Sequence, residues 1–260
     1  MGSAEVQGVL WGAGAREWAE LIEPCQIPFY EAAFDALDLR PGMTVLDAGC
    51  GSGLALEIAT RRGASVTGLD ASAGLLGIAR ERVPTADLRE GDLESMPFAD
   101  HTFDAVSAFN SVQFAADPVR AASEIRRVAK PGAAVAITTW GPPERCEMGV
   151  VLRALGSQLP SPPAGSGGPF SLSAPGALEA VVDSAGLESD RVIEVSTPFA
   201  FASVETGVRA LLSTGPGRLA VEHVGVEAAR ATLLRAFEPF SQSDGSVATN
   251  NVFRVLVARA

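Results

Sequence analysis

Between Thr44 and Trp140 the chain alternates short apolar runs with helical segments, and few architectures accommodate that texture. TVLDAG (44–49), SVTGLD (65–70), ADLREGD (86–92), FDAVSAFN (103–110) and AAVAITTW (133–140) read as strands. LALEIATRRG (54–63), SAGLLGIARERV (72–83) and PVRAASEIRRVAK (118–130) read as the helices between them, stopped at Gly63, at Pro84 and at Pro131–Gly132. Strand–helix–strand repetition predicts a parallel sheet with right-handed crossovers. The strands are apolar throughout, as in a sheet covered on both faces.

The flanks have a different texture. Residues 11–39 look helical, with stops at Pro24 and before Pro41. Beyond the core, 141–155 and 174–187 are helix-like, and the Pro/Gly/Ser run 160–170 is the best linker. RVIEVSTPFAF (191–201) predicts a sixth strand, 203–240 two or three helices broken at STGPG, and NNVFRVLVARA (250–260) a last strand. No internal repeat is evident.

Composition excludes several classes. The net charge is −11 and no Lys/Arg cluster is present, which disfavours nucleic acid and anionic membranes as partners. No apolar run approaches the roughly 20 residues of a membrane-spanning helix. The start of the chain lacks a signal-peptide pattern, and Val6 breaks the myristoylation pattern. Three cysteines at wide spacing form no disulfide framework, and two histidines form no metal motif. These features predict a cytoplasmic, metal-free protein, monomeric or homodimeric. Only Lys130 among the twenty basic residues is lysine, a codon-usage texture of GC-rich bacteria.

The sharpest local feature is VLDAGCGSG (45–53). A strand ending in Asp47, then Gly49, Gly51 and Gly53, then a helix, is a nucleotide-type loop, because glycines let backbone approach a ligand closely. A tight turn is the plain alternative for the glycines alone. The spacing is G-x-G-x-G; Leu54 stands where a dinucleotide loop has its third glycine, and no Walker lysine follows. Asp47 beside a pyrophosphate would be repulsive. Asp70 ends the second strand, where an acid can bind both hydroxyls of a ribose, and Asp92 follows the third. Three carboxylates along one sheet edge suit S-adenosylmethionine, which has an amino group, a sulfonium and a ribose diol but no phosphate.

VLDAGCGSG, VTGLDAS, GDLESMPFADHTFDAVSAFN and RRVAKPGAAVAI, in that order over about residues 41–140, resemble the class I S-adenosylmethionine-dependent methyltransferases of the ubiquinone/menaquinone-methyltransferase-like branch. The resemblance implies a Rossmann-like α/β fold: a seven-stranded, mostly parallel sheet, helices on both faces, the last strand antiparallel. It implies that Ala48, Gly49 and Gly51 contact the methionine part of the cofactor, with Asp47 near its amino group. Asp70 would hold the ribose, Ala71 would lie under the adenine, Asp92 and the Leu93 N–H would meet the adenine edge, and Phe109 and Asn110 would lie near the transferable methyl. The fourth strand leads into NSVQF, not the family's frequent aromatic-His or His-His stretch, so an acid–base role for that histidine is absent.

The expected organisation is an N-terminal helical lid (1–40), a core (41–200 and 248–260) and a helical cap (201–247). Trp18 either folds over the cofactor, as such helices do in many relatives, or packs on the core; Trp11 is a weaker candidate. Tyr30, Trp140 and His223 are candidate acceptor contacts, each with ordinary packing or surface exposure as the alternative. Phe199, Phe201, Leu211 and Leu212 are candidate cap lining. His101 is expected in solvent, and Cys50 as a small filler in the glycine loop.

The expected function is methyl transfer to a small, partly apolar O-, N- or C-nucleophile in secondary or quinone-type metabolism, by alignment without an evident base. The alternatives are another reaction, such as a cyclisation, in which the cofactor is a scaffold, and a non-catalytic binding module. Intact Asp47, Gly49, Gly51 and Asp70 argue against the last.

Overall fold

The computed structural model describes residues 3–159 and 167–260. Residues 160–166, most of the expected linker, lie outside the described residues. In chain order the strands are β1 (Thr44–Ala48), β2 (Ser65–Asp70), β3 (Asp87–Glu90), β4 (Phe103–Phe109), β5 (Ala129–Trp140), β6 (Glu188–Ser196), β7 (Phe199–Phe201), β8 (Val247–Thr249) and β9 (Val252–Arg259). Seven form one sheet in the order β3-β2-β1-β4-β5-β9-β6, in which β9 runs antiparallel to both its neighbours. The parallel part is the sheet expected from the alternation, and the seven strands with β9 antiparallel are the Rossmann-like arrangement that the resemblance implies.

Apolar texture holds only at the centre. β4 and β9 are almost wholly buried, whereas the edge strands β3 and β6 are largely exposed and polar. The period of two along β9 sends Phe253, Val255 and Val257 into one core and Leu256 and Ala258 into the other. Burial of each large side chain, such as Phe253 or Leu256, contributes about 1.5–3 kcal/mol.

The N-terminal segment contains α1 (Ser3–Gly12), a single turn α2 (Ala15–Glu17), a wide turn (Trp18–Ile22), a tight turn (Glu23–Gln26) and α3 (Ile27–Ala36). Helix thus begins earlier than expected, and Pro24 does not stop it, because proline occupies a first-turn position where no N–H is needed. The core helices are α4 (Leu54–Arg61), α5 (Ala73–Arg82), α6 (Pro118–Val128), α7 (Met148–Gly156) and α8 (Ala177–Ser184). α6 ends two residues before the expected stop: Ala129 is already extended and pairs with Phe103.

The expected sixth strand is two strands in two sheets. β6 joins the main sheet, while β7 pairs with β8 in a separate antiparallel ladder, Phe199 opposite Thr249. Between β7 and β8 the chain forms three helices, α9 (Val204–Leu212), α10 (Gly215–Val224) and α11 (Val226–Phe237). Among the described residues no helix is long and apolar enough to cross a membrane.

Candidate functional site

The carboxyl ends of β1, β2, β4 and β5 open into a cleft of about 1290 Å³, its mouth included. Asp47, Gly49, Gly51, Asp70, Ala71, Asp92, Leu93, Phe109, Asn110, Trp18, Tyr30 and Trp140 all line it. Ala48 is fully buried and does not; its carbonyl accepts the Ser111 hydroxyl at 2.7 Å. His223 does not reach the cleft: it is exposed in the last turn of α10, so the expected acceptor contact is corrected to a surface position. His101 is exposed as expected.

The glycine loop is built by backbone torsions that favour glycine. Gly49, Gly51 and Gly53 have φ of 86°, 54° and 83°. A Cβ on Gly49 would stand 2.3 Å from the Ser111 Cβ, so the loop packs directly on the turn after β4. Asp70 holds the loop from the other side: its Oδ2 accepts the Gly51 N–H and its Oδ1 the Ser72 N–H, both at 2.8 Å. The Ala71 N–H also acts on this carboxylate, so only part of its roughly four lone-pair sites remains for a ligand. Burial pushes the Asp70 carboxyl above its ordinary range.

Asp47 is 2% exposed, and its Oδ1 accepts the Ser107 hydroxyl at 2.8 Å. Burial raises its pKa to about 7; the Ser107 bond opposes this, and the charges of Asp70 and Glu23 add to it. Asp92 uses Oδ1 to accept the Glu94 N–H at 2.9 Å. Asn110 follows β4 in the left-handed region, φ 50°, which asparagine tolerates better than most residues. Its Oδ1 accepts from Gln113 Nε2 at 3.1 Å, and its Nδ2 is buried without a hydrogen-bond partner among the described residues.

Several site residues gave no sequence signal. Glu23, Gln26 and Gln7 line the cleft from the N-terminal segment, and Met148 and Leu152 from α7. Glu23 is 2% exposed and ion-paired with Arg82. A lone acid on a helical stretch reads as a solvated face, and only docking of the segment buries it. Trp11 and Trp18 meet edge to face at 4.9 Å, and Trp11 meets Phe114 at 5.6 Å. From α9 and its flanks, Phe199 and Leu211 line the cleft; Phe201 instead packs on Phe237, and Leu212 packs into the core behind. Arg209 donates to Glu17 at 2.9 Å, so the cap and the N-terminal segment meet.

The chemistry of the lining is one-sided. Glu23, Asp47, Asp70 and Asp92 face the cleft, and no Lys or Arg is among its lining residues. A polyphosphate would be repelled there; a ligand carrying positive charge and a diol is attracted.

Residues 46–137 match the family model for a methyltransferase domain. This part of the chain is a class I S-adenosylmethionine-dependent methyltransferase domain. The chain is 35% identical over 126 residues to a demethylmenaquinone methyltransferase of Renibacterium salmoninarum, covering 46% of this chain and 53% of that protein. It is 45% identical over 111 residues to cycloartenol-C-24-methyltransferase 1 of Oryza sativa subsp. japonica, covering 40% of this chain and 32% of that protein. The match thus spans about half, or less, of these relatives. In fold, a putative methyltransferase from Bacillus halodurans C-125 superposes with a TM-score of 0.61 at 16% identity, over 88% of this chain and 97% of that one. The [4+2]-cyclase SpnF superposes at 0.58 and 22%, over 89% and 80%. At these identities the chain shares a fold with both and no more.

Proposed function

We propose that the protein transfers the methyl group of S-adenosylmethionine to a small, largely apolar acceptor. The observation that carries this reading is the strand-end cleft with four carboxylates and no lining cation. In this reading Asp47 meets an ammonium, the remaining lone pairs of Asp70 a ribose diol, and Asp92 with the Leu93 N–H an adenine edge. When bound, S-adenosylmethionine supplies a methyl group already activated by its sulfonium.

The chain's own residues then have two tasks. The first is exclusion of water: residues 1–40 act as a lid and 201–247 as a cap, meeting through Arg209 and Glu17. The second is alignment, which supplies up to about 7–11 kcal/mol when reacting atoms are held in line. Tyr30, Phe109, Trp140, Met148, Phe199 and Leu211 offer apolar surface for the acceptor, and none of them is a base near neutral pH. The Tyr30 hydroxyl donates to Gln26 at 2.6 Å, and burial holds its pKa well above the ordinary range. The favoured acceptor is therefore a nucleophile that loses its proton readily, such as a phenol or hydroquinone, in a quinone-type or secondary pathway in the cytoplasm of a bacterium.

The test is calorimetric titration with S-adenosylhomocysteine, followed by incubation of candidate acceptors with methyl-labelled S-adenosylmethionine. Saturable binding and label in the product support methyl transfer. Binding with a changed but unlabelled product indicates a scaffold role for the cofactor. Absence of binding, once carried-over ligand is excluded by mass spectrometry, overturns the proposal.

A further inference from the structure

The glycine loop has few donors left to give. A loop of this kind at a helix N-terminus ordinarily offers its amides to an anion. Here five of the six N–H groups from Gly49 to Leu54 are engaged inside the protein. Gly49 and Cys50 donate to the Leu69 carbonyl, Gly51 to Asp70, Gly53 to the Cys50 carbonyl and Leu54 to Glu23. The sixth belongs to Ser52, which is fully buried and does not line the cleft. The Glu23 carboxylate also covers the positive end of α4, where an anion would otherwise settle.

The amino-acid half of the proposed cofactor carries a carboxylate as well as an ammonium. In this cleft that carboxylate meets Glu23, Asp47 and Asp70 and no lining cation. Burying it without hydrogen bonds would be costly. Neutral donors must hold it, and of those lining the cleft Trp18 and Gln26 come from the turns of the N-terminal segment that flank Glu23.

The first is the Trp18 indole. Its Nε1 lies 3.9 Å from where a Cβ on Gly51 would stand, and it has no protein partner among the described residues. The second is the Gln26 amide, 4% exposed and lining the cleft. Its Oε1 accepts the Tyr30 hydroxyl at 2.6 Å. That separation suits O–H···O and is short for N–H···O, so the oxygen faces Tyr30 and the amide nitrogen is left for the cleft.

We propose that Trp18 Nε1–H and the Gln26 side-chain amide together form the receptor for the α-carboxylate of the cofactor's amino-acid half. The proposal rests on the cofactor reading above. It makes the N-terminal segment a specificity element: a nucleoside thioether without the carboxylate forfeits both bonds, and the segment recognises the intact amino-acid end.

The test uses the full chain and two ligands, S-adenosylhomocysteine and its decarboxylated analogue, which keeps the ammonium. Each is titrated calorimetrically into wild type, Trp18→Phe and Gln26→Glu. In the second variant the introduced carboxylate still accepts from Tyr30 but repels the ligand's carboxylate. The expected result is a loss of about ten- to a hundredfold for S-adenosylhomocysteine in each variant, with less than about twofold change for the analogue. The ammonium is common to both ligands, so its contribution cancels. Unchanged affinity for S-adenosylhomocysteine, or an equal loss for both ligands, overturns the assignment. If wild type binds neither ligand, the cofactor reading itself fails. Thermal melting identifies a variant that does not fold, and the other variant then decides.

Discussion

Glu23 caps a helix that begins 31 residues downstream: its Oε1 accepts the Leu54 N–H at 3.3 Å, and its Oε2 accepts the Ser52 hydroxyl at 2.5 Å. The helix needs this help because its N-cap position is Gly53, which has no side chain and a φ of 83°. The same carboxylate pairs with Arg82, which also donates to the Ser52 carbonyl at 3.0 Å. One buried acid therefore joins the N-terminal segment, the glycine loop and α5.

Glu23→Ala removes the cap and leaves Arg82 short of its buried partner. The expected cost is about 3 kcal/mol of stability, with weaker S-adenosylhomocysteine binding. Glu23→Gln keeps an acceptor for Leu54 and should cost less. Denaturant melts and calorimetry on both variants measure this, and a melt of Glu23→Ala that matches wild type would sink the capping role.

Asp47 makes the unliganded protein pH-sensitive. Its carboxyl titrates near 3.8 when unfolded and at about 7 when folded. The folded state therefore keeps the proton longer. The stability tied to it is fully present below about pH 4, declines as pH rises and is lost above about pH 7, by up to about 4 kcal/mol. Asp47→Asn should flatten this slope and raise the melting temperature of the free protein at pH 8, while weakening binding. Binding of an ammonium should also expel the proton near pH 7. The calorimetric enthalpy would then differ between phosphate and Tris; identical enthalpies in the two buffers would rule this out.

α1 lies with its backbone on the turn between β2 and α5. A Cβ on Gly8 would stand 2.3 Å from the Ala71 carbonyl oxygen, and one on Gly12 would stand 3.0 Å from Ser72 Oγ. Glycine-to-alanine changes inside helices ordinarily stabilise by about 0.5–1 kcal/mol. Gly8→Ala should do the reverse: α1 lifts, hydrogen exchange over residues 3–12 speeds up and S-adenosylhomocysteine affinity falls several-fold. A more stable variant with full affinity would show that α1 does not seat on Ala71.

Asp70 is structural as well as a candidate ribose ligand. Asp70→Ala leaves the Gly51 and Ser72 N–H groups without their acceptor, at a cost of about 1–3 kcal/mol for each that stays dry. Binding and melting temperature should fall together. Lost binding with an unchanged melt would restrict Asp70 to the ligand.

Much of this was legible because it is local. β2 spans Ser65–Asp70, the residues whose apolar texture marked it, and the acids at the strand ends follow from a period of two and the crossover rule. The α6 boundary was not legible, because pairing of Ala129 with Phe103 overrode helical spacing. Nor was the division of 188–201 into β6 and β7, which depends on partners about 50 to 70 residues away in β8 and β9. His223 carried a chemical signal, but its helix turns it to solvent.

The sequence by itself determined the alternating α/β core, the glycine loop and the acids beside it, because spacing, strand ends and glycine torsions are properties of short segments. Tertiary structure alone decided that Glu23 is a buried cap, that Trp18 stands beside Gly51, that Gln26 lines the cleft, and that Phe199 packs on Trp140. The physical reason is distance along the chain. A side chain's burial, and with it its charge and its free hydrogen bonds, is set by whatever packs against it. For Glu23 those partners, Ser52, Leu54 and Arg82, lie about 30 to 60 residues away.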